Sequence, residues 1–157
     1  GGNPAASWQS VQLRPMTAAD VPSVAAIEAA LPYEAWTAAQ FESSLDVGHW
    51  AWVATFNGQV VAYAVLMPAV DECELLLLGV EAAHQRQGIA QQLLCHAEQY
   101  ARAQGAEKVH LEVRQSNTAA IDLYQGAGYV LVGKRKHYYT TAEGQREDAV
   151  LYTKVMV

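Results

Sequence analysis

The chain has little of what marks a disulfide-rich or metal-binding protein. It contains only two cysteines, Cys73 and Cys95, among its 157 residues. Neither they nor the five histidines show the spacing of a metal site. We therefore expect no bound metal, and we expect both cysteines to be reduced side chains buried in the packing.

Charge is scarce as well, at 17% charged residues with a net charge of −6. Nucleic-acid binders are usually basic, so we expect no nucleic-acid partner. No apolar run reaches membrane-spanning length, and no charged-then-apolar leader opens the chain. These absences predict no membrane partner and a cytoplasmic location.

What is present suits one globular domain, since 52% of the residues are hydrophobic. Residues 1–7 are mostly small and are interpreted as a flexible tail, which leaves residues 8–157 as the domain. Apolar periodicity predicts a strand, two helices, three strands, a helix, a strand, a helix and two strands. Asn57-Gly58 predicts a hairpin turn, and Tyr129–Val132 and Val150–Val155 are the predicted closing strands.

The most informative stretch is His84-Gln85-Arg86-Gln87-Gly88-Ile89-Ala90, which lies between an apolar run and a helical pattern. The run Leu75–Val80 predicts a buried strand, and apolar residues spaced by three and four after Gly88 predict a long helix. The start of a helix offers unpaired N–H groups and a positive dipole end, and glycine lets a phosphate approach closely. The stretch therefore predicts an anion cradle, with an ordinary tight turn as the alternative. A helical crossover also predicts that the strands on either side of it are parallel.

Glu112 is the first candidate for chemistry. On the predicted strand Lys108–Arg114 it shares a face with His110 and Arg114, because strand side chains alternate. A partly buried carboxylate there could accept a proton. The alternative is a structural glutamate paired with Arg114 or Lys108.

Asn117 and Tyr124 are the next candidates, and each has a plain alternative. Asn117 is an ordinary residue to cap the following helix, and Tyr124 could simply pack in the core. A phenol has a pKa near 10, so Tyr124 would stay protonated at neutral pH and could donate a proton to a thiolate leaving group.

Taken together, three motifs resemble the Gcn5-related N-acetyltransferase (GNAT) family. They are Gln85-Arg86-Gln87-Gly88-Ile89-Ala90, the segment Leu111–Tyr124 and Gly128-Tyr129. The ending, Tyr138-Tyr139 and then Arg146–Ala149, is similar to the branch that acetylates the N-terminal alanine of ribosomal proteins. The resemblance implies a single-domain α/β GNAT fold: a mixed, mostly antiparallel sheet of about seven strands with a central parallel pair and helices on both faces.

The resemblance also implies a cofactor and site residues. Acetyl-CoA would be the co-substrate, with Glu112 as proton acceptor and Tyr124 as proton donor. Residues matching the family's acetyl-CoA contacts are Leu78, Gly79, Val80, Arg86, Gln87, Gly88, Ile89, Ala90, Gln91 and Asn117.

The implied acceptor is the N-terminal amine of a protein, an alanine of a small-subunit ribosomal protein. Its expected contacts are Tyr33, Glu34, Trp36, Tyr138 and Tyr139, for which loop packing is the alternative. Two other functions stay open: acetylation of a lysine side chain or small amine, and non-catalytic sensing of acyl-CoA.

Overall fold

Secondary structure follows the order that hydrophobic periodicity predicts. The computed structural model describes residues 11–33, 35–141 and 143–156, so the predicted tail and Glu34 lie outside the described residues. The strands are β1 (Val11–Pro15), β2 (Trp50–Phe56), β3 (Gln59–Pro68), β4 (Glu72–Val80), β5 (Lys108–Arg114), β6 (Val130–Thr140) and β7 (Arg146–Val155). The α-helices are α1 (Val21–Ala30), α2 (Ala38–Asp46), α3 (Ile89–Ala103) and α4 (Thr118–Gly126), and short 3-10 turns cover Ala18–Asp20 and Ala82–His84.

The strands form one mixed sheet in the order β1-β2-β3-β4-β5-β7-β6. The pair β4 and β5 is parallel, from Glu72 opposite Lys108 to Leu75 opposite Leu111. The parallel pair is confirmed, and its cause is the crossover through α3. This is the α/β class that the sequence predicts. Within the part of the chain that the structure describes, no helix has both the length and the apolarity to cross a membrane.

Internal contacts divide the chain into two compact units. The first unit contains the described residues up to Met67 together with Leu77–Gln99. The second unit contains Pro68–Leu76 and the described residues from Tyr100 onwards.

The first unit is built on the predicted hairpin. Its register places Phe56 opposite Gln59, and both turn residues have positive φ, 51° at Asn57 and 77° at Gly58, as a primed turn requires. Helix α3 buries the predicted apolar stripe here, because Leu93 and Leu94 are almost completely excluded from solvent.

The two cysteines differ from each other. Cys73, on β4, is buried as expected. Cys95 is exposed, so the expectation that both are buried is wrong for this residue. The reason is its place on α3, since it lies outside the spacing of three and four that Leu93, Leu94 and Ala97 follow into the core.

The second unit contains a closing pair of strands longer than predicted. Strand β6 runs to Thr140 instead of ending at Val132, and β7 begins at Arg146. The pairing is irregular between Arg135 and Tyr139, where His137 has a φ of 56° and its N–H bonds the Asp148 carboxylate at 3.0 Å. Such a bulge removes the alternation by which a strand is recognised in a sequence.

Candidate functional site

The turn before α3, where an anion cradle is predicted, combines two residues of positive φ with an open helix start. Arg86 and Gly88 both adopt positive φ, 63° and 81°, a conformation that glycine tolerates without strain. The first α-helical hydrogen bond runs from the Gln92 N–H to the Gly88 carbonyl at 3.1 Å. The N–H groups that precede it in the first turn therefore have no partner inside the helix. Apart from its chain neighbours, no atom of the described residues lies within 4 Å of where a Cβ of Gly88 would be, so the turn has room for a ligand.

A groove of about 780 Å³ lies along this end of α3. Its walls come from β1, the turn and the exposed side of the helix: Val11, Leu13, Gln87, Gly88, Gln91, Gln92, Cys95, His96 and Gln99. Three predicted cofactor contacts, Gln87, Gly88 and Gln91, thus share one concave surface. Arg86 is exposed and places a positive charge at the turn. The side chain of Ile89 is buried, so only its backbone N–H could bind an anion.

The end of β4 is held tightly within the first unit. Gly79 is buried, and a Cβ there would overlap the phenol of Tyr63. The carbonyl of Val80 accepts a hydrogen bond from Gln85 Nε2 at 3.0 Å, which ties the turn back to the strand. Leu78, Gly79 and Val80 therefore end the strand in a fixed geometry beside the cradle.

The predicted acceptor loop is anchored by a buried carboxylate. Glu28 is 6% exposed; its Oε1 accepts from the Tyr63 hydroxyl at 2.5 Å and its Oε2 from the Trp36 N–H at 3.0 Å. Burial, followed by this hydrogen bond, raises the pKa of Tyr63, which keeps the phenol a donor. The Trp36 ring packs edge-on against Phe41 with centroids 5.4 Å apart, so this side chain takes part in loop packing. Tyr33 is 37% exposed.

In the second unit, Glu112 has an ion-pair partner that the sequence did not indicate. Its Oε1 lies 3.1 Å from Nη2 of Arg135 on β6, and the Glu112 side chain is 20% exposed. The predicted alternatives, pairing with Arg114 or Lys108, are therefore wrong about the partner. The long β6 explains the difference, because it brings a residue 23 positions away in the sequence alongside β5 through β7.

Tyr138 and Tyr139 join the same cluster. Their rings are 5.1 Å apart, the guanidinium of Arg135 lies 5.4 Å from the Tyr138 ring, and that of Arg114 lies 4.4 Å from the Tyr139 ring. Burial, and then the charge of Glu112, raises the pKa of Tyr139. Glu112 and the two predicted substrate tyrosines thus lie together, linked by two arginines.

Tyr124 and Asn117 occupy opposite ends of α4. Tyr124 is 7% exposed, its ring contacts Tyr129 at 5.7 Å, and burial raises the pKa of its phenol. A phenol in this position stays protonated at neutral pH and keeps its capacity to donate. Asn117 is the N-cap, with Oδ1 accepting from the Ala120 N–H at 3.3 Å, so its capping role is confirmed.

Sequence reasoning missed one acidic residue beside this cluster. Glu74, on β4, lies opposite His110 of β5 in the parallel register. Burial, and then the charge of Glu112, raises the pKa of Glu74, while His110 and Arg135 act in the opposite direction. The alternation of Glu72 and Glu74 in a strand predicted to pair with that of Glu112 was the available clue.

The acetyltransferase (GNAT) family model matches residues 16–129. The chain is 34% identical over 132 residues to the ribosomal protein bS18-alanine N-acetyltransferase of Escherichia coli, covering 84% of this chain and 88% of that protein. It is also 34% identical over 141 residues to the N-alpha-acetyltransferase RimI of Mycobacterium tuberculosis, covering 85% and 87%. The crystal structure of the Escherichia coli ribosomal-protein-S18-alanine N-acetyltransferase superposes with a TM-score of 0.88 at 31% identity, covering 93% of this chain and 94% of that one.

Proposed function

Given that this chain belongs to the acetyltransferase (GNAT) family, we propose that it acetylates the N-terminal alanine of a small-subunit ribosomal protein by direct attack in a ternary complex. It is an acetyl-CoA-dependent N-acetyltransferase. The choice of acceptor rests on sequence similarity over more than four-fifths of the chain. One such relative is named as an alanine N-acetyltransferase and another as an N-alpha-acetyltransferase.

The turn before α3 suits the diphosphate of acetyl-CoA. It offers unpaired N–H groups, an open approach at Gly88 and the cation of Arg86. We assign the diphosphate to Arg86, Gln87, Gly88, Ile89, Ala90 and Gln91. We assign the pantetheine arm to the backbone of Leu78, Gly79 and Val80, with a further contact from Asn117.

Acetyl-CoA supplies an activated acyl group on a thiolate leaving group. The protein has to deliver an uncharged amine to it, because an N-terminal amine has a pKa near 8 and is mostly protonated at neutral pH. In total the acceptor nitrogen loses two protons during the reaction, and Glu112 is suited to accept a proton from it, since it is a carboxylate that keeps limited contact with water. Tyr124 is suited to protonate the sulfur, because burial raises the pKa of its phenol and keeps it protonated at neutral pH.

Tyr138 and Tyr139 offer a surface beside Glu112 on which the acceptor peptide could bind. Tyr138 is 52% exposed and lies on the cluster that contains Glu112, so the first residues of a peptide could lie against its ring. We include Tyr33, Glu34 and Trp36 as further acceptor contacts. Of these, Trp36 would act through the loop that Glu28 anchors.

A peptide panel tests the acceptor class. Acetyl-CoA consumption and product mass are measured with a peptide beginning Ala-Arg, with the same peptide blocked at its N-terminus, and with a blocked peptide carrying an internal lysine. We expect turnover only of the free N-terminus. Equal modification of the blocked lysine peptide would replace this proposal with a lysine acetyltransferase, and binding of acetyl-CoA without any turnover would favour a sensor.

A further inference from the structure

Four titratable side chains share one face of the parallel pair in the second unit. Glu74 is opposite His110 in register, so both point to the same side of the sheet. Glu72 and Glu112, two residues away along their strands, point the same way. The contact between Glu72 Oε2 and His110 Nε2 at 2.7 Å establishes this common face.

Three of the four are already paired. Glu72 bonds His110, whose other ring nitrogen lies 2.7 Å from Thr153 Oγ1, and Glu112 pairs with Arg135. Among the described residues, Glu74 has neither a hydrogen bond nor an ion pair. It is partly buried, and it interacts electrostatically with Glu112, His110 and Arg135.

The reaction removes two protons from the acceptor nitrogen, and they differ in acidity. The first leaves an ammonium with a pKa near 8, so it calls for the more basic carboxylate. The second is far more acidic once the nitrogen is bonded to the acetyl carbon, so a weaker base suffices. Burial strengthens a carboxylate as a base. Glu74 has no ion-pair partner in the described part of the chain and burial raises its pKa, whereas an oxygen of Glu112 is held by Arg135.

We propose that Glu74 is a second proton acceptor of the site, taking the first proton from the acceptor's ammonium and leaving the second to Glu112. This inference rests on the proposed N-acetyltransferase function. An N–H bond breaks and its proton goes to a Glu74 oxygen, while the electron pair stays on nitrogen. The N–C bond then forms, the C–S bond breaks with its electrons on sulfur, and Tyr124 protonates the sulfur. Of the two nitrogen protons, one replaces that of Tyr124 and the other leaves to solvent.

The two acceptors differ in their dependence on pH. The first proton is lost without help once the pH exceeds the pKa of the amine. A Glu74→Gln enzyme should therefore lose about 100-fold in kcat/KM at pH 7 and recover most of it by about pH 9.5. A Glu112→Gln enzyme should lose activity by a similar factor at every pH.

The experiment is a pH profile of kcat/KM for the Ala-Arg peptide, from pH 6 to 10, with the full-length protein and the variants Glu74→Gln, Glu74→Asp, Glu112→Gln and Glu72→Gln. Glu72→Gln is the matched control, because Glu72 shares the strand and face of Glu74 but is paired with His110. We expect it to follow the wild type, and Glu74→Asp to lie between wild type and Glu74→Gln. The Kd for acetyl-CoA should not change in any variant, and thermal unfolding should show every variant folded at the assay temperature.

Two results would overturn the inference: a Glu74→Gln profile that matches the wild type, or a deficit that stays constant up to pH 10. If instead the proposed function is wrong about the acceptor, the wild-type enzyme itself will leave the Ala-Arg peptide unmodified. If lysine is the acceptor, the same profiles taken with the lysine peptide should show recovery of Glu74→Gln shifted toward the lysine pKa of about 10.4.

Discussion

Each unit contains a buried tyrosine, and the two tyrosines differ in what their hydroxyls touch. Tyr63, in the first unit, donates to the buried carboxylate of Glu28, which also accepts from the Trp36 N–H. Tyr124, in the second unit, has a ring contact with Tyr129, and its hydroxyl has no hydrogen bond to any described residue. Burial raises the pKa of both phenols. A donor with a permanent acceptor fixes structure, whereas one without an acceptor is available to a reactant.

Two carboxylates, Asp20 and Glu74, differ between the units in the same way, since one has hydrogen-bond donors and the other has none among the described residues. In the first unit, Asp20 accepts a forked pair of bonds from Arg14 at 2.8 Å each, together with the Thr17 N–H. In the second unit, Glu74 has no such donors. Glu74 is only partly buried, and the described residues contain no fully buried side-chain oxygen or nitrogen without a partner, so its free oxygens are not a large cost to stability and stay available to accept a proton.

The largest expected effect comes from Tyr124→Phe. Without the proton donor, the thiolate must leave unprotonated, and kcat should fall about 100-fold. KM for acetyl-CoA and the melting temperature should change little, because Phe keeps the ring contact with Tyr129. Steady-state kinetics with thermal unfolding of the same sample checks this. An unaltered kcat would assign Tyr124 to core packing.

Tyr63→Phe should show the reverse pattern. It leaves one oxygen of the buried Glu28 carboxylate without a donor, at a cost of about 2 kcal/mol in the free energy of unfolding. Tyr152→Phe is the matched control, because Tyr152 is also buried but only accepts a 3.3 Å bond from Gln125 Nε2. Urea denaturation compares the two variants. A cost for Tyr63→Phe no larger than that of the control would contradict the structural role of the pair.

The sequence predicts those features of the fold and site that depend on residues close together in the chain, and it misses contacts between residues far apart in the chain. The hairpin at Asn57-Gly58, the stripe on α3 and the cap at Asn117 are local patterns, and all three are confirmed. The Glu112–Arg135 pair depends on an irregular register in β6 and β7, which no local pattern encodes. The position of Glu74 could have been predicted from the sequence, since strand alternation and the parallel crossover together place it on the face of Glu112.

Gly88→Ala probes the cradle with a smaller effect. Alanine at a φ of 81° is strained by roughly 1 kcal/mol, and relaxing that strain moves the N–H groups of the first turn. We expect the Kd for acetyl-CoA, measured by calorimetry, to rise about tenfold. Gly105→Ala is the control, because Gly105 follows the other end of α3 at a φ of 98° with equally open space around it. Equal Kd changes in both variants would remove the cradle from cofactor binding.

The smallest effects should appear in the pH dependence of stability, with opposite signs in the two units. The hydrogen bond from Arg14 lowers the pKa of Asp20, so its contribution is complete above about pH 4 and is lost as the pH falls through the lowered value. Asp20→Asn should cost on the order of 1 kcal/mol at pH 7 and progressively less toward pH 2.

Burial raises the pKa of Glu74, so the folded state disfavours its charged form at neutral pH. Glu74→Gln should therefore stabilise the protein slightly at pH 7, and that gain should vanish as the pH falls below the ordinary glutamate pKa. Urea titrations of both variants between pH 2 and pH 7 measure the two trends. If Glu74→Gln destabilised the protein at pH 7, Glu74 would belong with the satisfied carboxylates of the first unit, and its unpaired state would carry no functional meaning.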